Sequence, residues 1–515
     1  MTGRAESLTA QDAEVLARRG IAKEEAERQL RTLAQPPGYA VLDRPCTTGD
    51  GIVALTDAEC DALAAEHAAA AAAGRVTAFV PASGAATRMF KELLALLAGP
   101  DPLEPAAVRA RAAAGDADAR ALVRWIEGLD AFAFRDALQA VLRARGAELA
   151  LLREHGPWRT LLEAALGSDG LAQAQAPKAL LAFHRESGRA RTALEEQLAE
   201  GEAFARDAAG RVRMHFTVSP EHRAGFEALL ANARRERERP GALAFEVGFS
   251  EQHPATDTLA ADPGGGPFRD PDGRILFRPA GHGALLRNLG ALGGDLVFVK
   301  NIDNVAVPRL RAETTRWASA LTALAARIAG EAAAHAVALQ RGDAGAVTAA
   351  AEFLRTRLGE PAPPEDAAAL LRLLERPVRV AGMVRNTGEP GGGPFWVRGR
   401  DGRVGRQVVE SAQVDPASAE QVAILRAATH FNPVFLACAL RDRHGRPYDL
   451  ERHVDTDAVI VTRKSAFGRD LLALERPGLW NGAMADWNTL FVEVPLAVFN
   501  PVKTVLDLLR PEHQA

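Results

Sequence analysis

Residues 76–97, VTAFVPASGAATRMFKELLALL, contain the pattern that decides the fold. Residues 76–80 form a short apolar run, which predicts a buried strand. A loop of small residues follows at 81–88, and the apolar spacing of a helix resumes over 89–97. A strand, a tight loop and a helix in this order form the local unit of a parallel α/β sheet, so the segment predicts that class of fold.

The same alternation of strands and helices recurs along the chain. Apolar runs at 212–218, 243–249 and 296–302 predict strands, and residues 220–232 and 285–292 predict helices. We therefore expect a Rossmann-like, mainly parallel sheet. Ligands of such sheets bind outside the carboxyl ends of the strands.

Helical sequence surrounds this core. Residues 8–34 and 56–73 predict helices, with Thr9 as an N-cap and Thr56 opening a capping box with Glu59. Strands are expected beyond 359, including a hairpin of 395–397 and 404–409 around an Arg-Asp-Gly turn. We expect these parts: a helical extension (1–75), an α/β core (76–358) with helical insertions (about 104–166 and 309–358), and an α+β part (359–515) that opens with a linker (359–366).

Composition narrows the class of protein. The chain has 515 residues, 47% hydrophobic and 25% charged, which is ordinary for a soluble globular protein. Its formal net charge of -4 disfavours a dedicated nucleic-acid binder. Three cysteines cannot form a disulfide framework. The N-terminus lacks the apolar core of a signal peptide, and no run is apolar enough for a membrane, so we expect a cytoplasmic protein.

The loop after the first core strand is the first candidate site. Small residues let backbone N–H groups approach phosphates, and the next helix adds its N-terminal dipole. Arg88 follows where it can neutralise phosphate charge. The alternative is a tight strand-to-helix turn without a ligand. The candidate residues of this loop are Ser83, Gly84, Ala85, Thr87 and Arg88.

Three further segments could carry chemistry. Lys178 follows a proline and precedes an apolar run, and Gly281, His282 and Gly283 stand at the entrance to a helix. Asp303 comes directly after an apolar strand, where a carboxylate can hold Mg²⁺ with substrate phosphates. Each of these residues also has a purely structural interpretation. Lys178 could be a solvated surface lysine, His282 could only hydrogen-bond within its loop, and Asp303 could cap a turn.

Three polar segments in the C-terminal part of the sequence are each most simply interpreted as a strand end or a turn. They lie at 407–411, 429–433 and 499–503. The tryptophans Trp396, Trp480 and Trp487 are expected in the core, because large aromatic side chains dominate core packing.

The order of these motifs resembles the nucleotide-diphospho-sugar transferase (GT-A-like) fold over about residues 76–505. More narrowly it is similar to the UDP-N-acetylhexosamine and UDP-sugar pyrophosphorylases, which carry a glycine-rich loop ending in Thr-Arg, a Pro-Lys pair, a Gly-containing loop and a strand ending in Val-Asp-Asn. The counterparts here are Gly84 to Arg88, Pro177-Lys178, Gly281 to Gly283, Ile302 to Asn304, Gln407 to Ser411, Asn432 and Pro501 to Lys503. The whole chain also resembles the family called domain of unknown function 4301.

This resemblance implies attack by a sugar 1-phosphate on the α-phosphorus of a nucleoside triphosphate, with UTP and an N-acetylhexosamine 1-phosphate favoured. Arg88 would bind the β- and γ-phosphates, Lys178 the α-phosphate, and Lys503 either the sugar phosphate or the α-phosphate. Asp303 would hold Mg²⁺, with Asn304 beside it. On the substrate side, the resemblance assigns Gly84, Gln252 and Gly283 to the base and Glu410 and Asn432 to the sugar.

The sequence also departs from those enzymes. Ala86 and Ser83 stand where glycine is usual, His282 replaces an asparagine, and 90 positions separate Arg88 from Lys178. Base and sugar recognition therefore stay open. Three rival functions also stay open: a non-catalytic nucleotide-sugar binder, a glycosyltransferase, and a helical interaction protein built on the insertions. The metal-binding Asp-x-Asp motif of a glycosyltransferase is absent at Asp303.

Overall fold

The computed structural model describes residues 8–84, 86–388 and 391–514. The predicted site residue Ala85 therefore lies outside the described residues. Helices α1 to α16 are, in chain order, Ala10–Arg19, Lys23–Ala34, Asp57–Ala72, Lys91–Ala98, Pro105–Ala113, Ala117–Glu127, Arg135–Ala144, Leu149–His155, Trp158–Leu166, Ala193–Ala205, Arg223–Arg237, Leu285–Ala291, Pro308–Arg341, Ala346–Thr356, Ala367–Leu374 and Ala419–Arg426.

Nineteen strands are assigned within the described residues. Strands β1 to β19 are, in chain order, Val41–Pro45, Thr47–Thr48, Gly51–Val53, Val76–Pro81, Ala182–Glu186, Arg189–Thr192, Arg211–Val218, Ala244–Glu251, Thr258–Ala261, Phe277–Arg278, Leu296–Lys300, Val378–Arg385, Gly393–Arg398, Val404–Val409, His430–Phe431, Phe435–Ala439, Ile460–Ala466, Arg469–Glu475 and Asn488–Glu493.

The central sheet has the strand order β2-β3-β19-β12-β16-β11-β4-β7-β8, with β15 paired to β12. Along that order every pairing is parallel except the two made by β16, which runs antiparallel to β11 and to β12. The predicted α/β class with a mainly parallel sheet is therefore confirmed.

Both faces of this sheet are buried. All five residues of β11 are buried, as expected for a strand covered on both sides. In β4, Val76, Ala78 and Val80 face the larger core, together with α10 and α13. Phe79 faces the second core with residues of α12. The alternation follows from the two-residue period of a strand.

The N-terminal segment differs from the predicted helical extension. Thr9 and Thr56 do form the expected caps, each within a capping box. However, the predicted helix over 8–34 is two helices, because Gly20 ends α1 in the left-handed conformation at φ 76°. Residues 41–53 form strands β1 to β3, of which β3 pairs with β19 in the central sheet. This segment is therefore partly built into the core fold.

The insertions are helical as expected. Helices α5 to α9 lie within 104–166, and the 34-residue α13 begins at Pro308, soon after the candidate Asp303. The predicted hairpin is present as β13 and β14. A smaller sheet of order β10-β9-β18-β17 lies apart from the central one. No helix in the described part of the chain is long and apolar enough to cross a membrane.

Candidate active site

The carboxyl ends of the parallel strands form one edge of the central sheet. The loops after β4, β8 and β11 carry the candidates Gly84, Gln252 and Asp303. Because β16 is antiparallel, its amino end also lies at this edge, and Asn432 precedes it. Open parallel sheets bind ligands at such an edge.

Lys178 joins four distant segments at this edge. Its ammonium Nζ lies 2.7 Å from Asp303 Oδ2 and donates to the carbonyl oxygen of Val502 at 2.7 Å. Its backbone N–H donates to the carbonyl of Gly84 at 3.4 Å. The Lys178 and Asp303 side chains are only 15% and 20% exposed, so this lysine is not a solvated surface residue.

The loop after β4 is fastened to the segment just before Lys178. The N–H of Ala86 donates to the carbonyl of Ala176 at 3.1 Å, and Thr87 Oγ1 donates to the carbonyl of Ala174 at 3.2 Å. The long helical insertion therefore returns the chain to the loop from which it departs. The sequence separation of 90 positions is thus compatible with a shared site.

The loop itself is open to solvent. Ser83, Gly84, Thr87 and Arg88 are all exposed. A Cβ added at Gly84 would meet nothing within 4 Å. Within the described residues the Arg88 side chain makes no hydrogen bond or ion pair. The loop therefore carries an exposed cation four positions after an open glycine backbone, the two features that favour phosphate binding.

The Asn304 side chain forms hydrogen bonds within the protein and does not point into the open space of the site. Its side chain is buried; Oδ1 accepts the N–H of Asn500 at 2.8 Å, and Nδ2 donates to the carbonyl of Val498 at 3.2 Å. The N–H of Val502 donates to the carbonyl of Asp303 at 3.1 Å. The Asp303 loop thus fixes the position of the loop that carries Lys503. A substrate contact for Asn304 stays a prediction.

Helix α10 holds the Asp303 loop from behind. Glu200 pairs with the buried Lys300 through Oε2 and accepts the N–H of Ala306 through Oε1 at 3.3 Å. Gln197 Nε2 donates to the carbonyl of Asn301 at 3.0 Å. Both ends of the loop are therefore anchored to one helix. Sequence reasoning missed these residues, because Glu and Gln on a helix usually face solvent.

Lys503, in the last segment of the chain, lies close to Phe431, the residue before Asn432. Lys503 Nζ is 5.9 Å from the centre of the Phe431 ring, within cation–π range. Asn432 is buried, and its Oδ1 accepts the N–H of Val434 at 3.1 Å. Val434 has a φ of 56°, so this bond supports a strained turn. The Asn432 side chain is used locally, and its predicted contact with a sugar is untested.

His282 and Glu410 form a second cluster. The N–H of Leu479 donates to His282 Nδ1 at 3.0 Å, so Nδ1 carries no proton. The proton of the neutral ring is then on Nε2, which lies 3.4 Å from Glu410 Oε1. Asn481 also donates to this carboxylate at 2.7 Å. The hydrogen bond from His282 lowers the pKa of Glu410 despite burial, and Asn481 adds to this.

Trp480 belongs to this cluster, although the sequence predicts it in the core. Its ring stacks on His282 with centroids 4.0 Å apart and planes 13° apart. Trp396 and Trp487 are buried as expected. The sequence contains both the Gly-His-Gly loop and this tryptophan, but nothing in it links position 282 to position 480, so the contact could not be predicted.

The glycine loop packs against the chain itself. A Cβ at Gly283 would lie 2.2 Å from the carbonyl oxygen of Pro477, and Gly281 has a φ of 74°. The absent side chain at Gly283 therefore makes room for Pro477, and the predicted contact of Gly283 with a base stays a prediction. Gln252 donates to Asp257 at 3.4 Å and contacts no other candidate among the described residues.

The residues fit a metal ion only in combination with a substrate. No group of three or more His, Cys, Asp or Glu residues that could hold a metal exists in the described ranges. Asp303 offers one carboxylate, already paired through Oδ2 with Lys178. Mg²⁺ is commonly held by one or two carboxylates plus substrate phosphates and water. The donor set therefore suits an ion whose remaining ligands come from a bound phosphate group and water.

These features define an α/β protein with a mainly parallel sheet and a polar site at the carboxyl ends of its strands. More particularly, the chain belongs to the family described as domain of unknown function (DUF4301), whose model matches residues 9–514. No curated protein matches the chain.

Several solved structures are similar to it. The uridine diphosphate N-acetylglucosamine pyrophosphorylase from Trypanosoma brucei, in complex with inhibitor, is 14% identical with a TM-score of 0.47, covering 95% of this chain and 74% of its own. A point mutant of UDP-glucose pyrophosphorylase from Leishmania major, in complex with UDP-glucose, is 14% identical with a TM-score of 0.46, covering 98% and 79%. A putative UDP-N-acetylglucosamine pyrophosphorylase from Entamoeba histolytica is 10% identical with a TM-score of 0.42, covering 91% and 84%.

Proposed function

We propose that the protein is a nucleotidyltransferase that joins a nucleoside triphosphate, UTP favoured, to a sugar 1-phosphate, giving a nucleotide sugar and pyrophosphate. The observation that carries this proposal is the position of Lys178. Its ammonium contacts Asp303 and Val502, and its backbone contacts Gly84. Four of the motifs that resemble the pyrophosphorylases therefore meet at Lys178, which supports the proposal.

The reaction is an in-line displacement at phosphorus. An oxygen of the sugar 1-phosphate forms a bond to the α-phosphorus, and the bond from that phosphorus to the bridging oxygen of the β-phosphate breaks. Pyrophosphate takes the electron pair and leaves. The protein has mainly to position the two phosphates and neutralise their charge, since phosphoryl-transfer sites need little covalent chemistry of their own.

Arg88 and Lys178 supply that charge in the proposal. The exposed Arg88 guanidinium borders the open Gly84 loop and would bind the β- and γ-phosphates and the departing pyrophosphate. Lys178 pairs with Asp303, and its Nζ would exchange this partner for an α-phosphate oxygen when the nucleotide binds. Mg²⁺ bound with the nucleotide would supply further charge neutralisation between the phosphates. Asp303 would then hold that ion through the carboxylate that Lys178 releases.

The sugar side of the site would use the second cluster and the C-terminal loop. Glu410 stays ionised, because its pKa is lowered, and can accept hydrogen bonds from sugar hydroxyls. His282 and Trp480 present stacked rings beside it. Lys503 would contact the phosphate of the sugar. Ser83, Thr87, Gln252, Gly281 and Gly283 complete the substrate-binding residues we propose.

The test is pyrophosphate release by the purified protein with Mg²⁺, each common nucleoside triphosphate and a panel of sugar 1-phosphates. We expect release that requires both substrates, is lost in Asp303→Ala, and falls strongly in Arg88→Ala. The matched control is Arg120→Ala, an exposed arginine on α6 outside the site.

Two other outcomes would contradict the proposal. A melting temperature raised by a nucleotide sugar without any pyrophosphate release would select the non-catalytic binder instead. Release that persists unchanged in both Asp303→Ala and Arg88→Ala would remove the assigned residues from the reaction.

A further inference from the structure

A cleft of about 500 Å³ lies outside the proposed active site. It is bordered by β2 and β3, by the end of α14, and by the hairpin of β13 and β14. Its lining includes Arg357 and Arg406, Thr48, Thr356 and Trp396, and no aspartate or glutamate among the described residues. A cleft of this size is typical of small-molecule sites.

Arg406 is a buried cation without a counter-ion. Its residue is 9% exposed, and its guanidinium donates to the carbonyl oxygens of Gly51, Leu358 and Thr489. Among the described residues no carboxylate pairs with it. Carbonyl dipoles solvate the guanidinium, but they do not neutralise its charge.

A second buried arginine lies behind it. Arg379 is 1% exposed and donates to Thr489 Oγ1 at 2.8 Å and to the carbonyl of Trp480 at 2.7 Å. It also has no carboxylate partner in the described part of the chain. Both guanidinium groups therefore bond to Thr489, which brings two like charges together, and Arg406 is the one that lines the cleft.

Burial makes the positive charges of these two arginines energetically unfavourable. Burial lowers the pKa of Arg406 to about 10 and the pKa of Arg379 to about 10. An anion placed in the cleft would offset that penalty, because an opposite charge nearby favours the ionised form.

We propose that this cleft binds a small molecule carrying a phosphate or carboxylate group, with Arg406 as the buried partner of the oxyanion. A guanidinium suits either group, since both offer paired oxygens. Arg357 is exposed at the rim; its Nε donates to Glu331 at 3.3 Å, and its guanidinium can also contact the same group or a second one. The cleft is far larger than one oxyanion, so the remaining body of the ligand can lie along Trp396. No residue assigned to the active site lines it, and the inference stands without the proposed function.

The experiment is a calorimetric titration with inorganic phosphate, pyrophosphate and succinate. It is made on the Arg88→Ala background to weaken anion binding at the other edge. We expect binding that weakens at least about tenfold in Arg406→Met, and about threefold to tenfold in Arg357→Gln. The matched control is Arg403→Gln, since Arg403 lies outside the cleft and pairs with Glu360. Preference for phosphate or for succinate identifies the oxyanion.

A further variant keeps the test valid where Arg406→Met does not fold. Thr356→Phe places a bulky side chain in the cleft and leaves both arginines in place, so it should also weaken binding. Equal affinity in all variants, or no binding of any of the three anions, would overturn the proposal. Loss of binding in Arg403→Gln to the same extent as in Arg357→Gln would overturn it as well.

Discussion

At the scale of the residue, Lys178 has the clearest expected effect. Replacing it by methionine keeps the aliphatic stem but removes the charge that contacts Asp303 and Val502. We expect turnover of the proposed reaction to fall about 10²–10³-fold, the usual loss for one electrostatic stabiliser. Steady-state pyrophosphate release measures it. Lys464→Met, an exposed lysine on β17, is the control, and near-normal turnover of Lys178→Met would contradict the role.

Two glycines are expected to lack a side chain for different reasons: Gly84 to let a ligand approach, and Gly283 to let another segment of the chain pack against it. Gly84→Ala should leave the melting temperature unchanged, because a Cβ there meets nothing within 4 Å, yet it should weaken nucleotide binding if phosphates approach the loop. Gly283→Ala should destabilise the fold by about 1–3 kcal/mol, because its Cβ would overlap the Pro477 carbonyl. Urea unfolding and nucleotide titration of both variants measure the contrast. Similar stability of the two variants would refute this explanation.

Residue types alone could suggest these positions but not their surroundings. Lys178 read equally well as a solvated lysine, and only its 15% exposure excludes that. Gly283 was a candidate from its loop, yet its neighbour Pro477 is distant in sequence and could not be foreseen. The chemistry of a side chain is local, whereas its burial depends on segments that fold against it.

At the scale of the element, helix α10 supports the Asp303 loop. Glu200→Ala leaves the buried Lys300 ammonium without its partner, and Lys300 is only 4% exposed. Breaking one member of a buried pair typically costs about 3–5 kcal/mol, so we expect a strong loss of stability in urea. The double variant Glu200→Leu with Lys300→Met should regain much of it, because no buried charge remains. A stable Glu200→Ala protein would contradict this account.

Elements were predictable where the pattern is long and regular. The strands at 212–218 and 296–302 follow from continuous apolar runs, and the Thr56 capping box follows from its residue spacing. Strands β1 to β3 were not foreseen. They are short, and pairing with distant strands rather than local sequence stabilises them: β1 pairs with β13, and β3 pairs with β19.

At the scale of the whole molecule, the C-terminal tail ties the site to the strand that follows Lys178. His513 Nδ1 lies 2.9 Å from His184 Nε2, whose ring contacts Glu196. Arg510 donates to the carbonyl of Pro501 at 2.6 Å, next to the Lys503 loop. The tail therefore connects the strand after Lys178 with the loop that contacts it.

This connection predicts a pH dependence of stability. Burial lowers the pKa of His513 to about 3, and the charges of His184 and Arg510 add to this. Below about pH 6.5 the unfolded chain binds a proton at His513 that the folded chain does not bind. The stability that the neutral histidine allows is therefore lost as the pH falls from 6.5 toward 3. The slope is up to about 1.4 kcal/mol per pH unit for each such proton.

Urea unfolding of the wild type and of His513→Phe between pH 5 and 8 measures this slope. The variant should lose stability at every pH, because His184 loses a partner, but its stability should fall less steeply below about pH 6.5. The exposed His155→Phe is the control, since that ring is 71% exposed. Parallel curves for the wild type and His513→Phe would rule out the assignment.

The sequence by itself determined the class of fold, the order of the motifs and the chemistry each motif could offer. These follow from periodicity and residue type, which are local properties. Long-range contacts alone established that Lys178 meets Asp303 across 125 positions, that α10 supports their loop, and that Arg406 is buried without a carboxylate partner in the described ranges. Burial and charge pairing depend on long-range packing, because the same side chain is solvated or desolvated according to what the rest of the chain places around it.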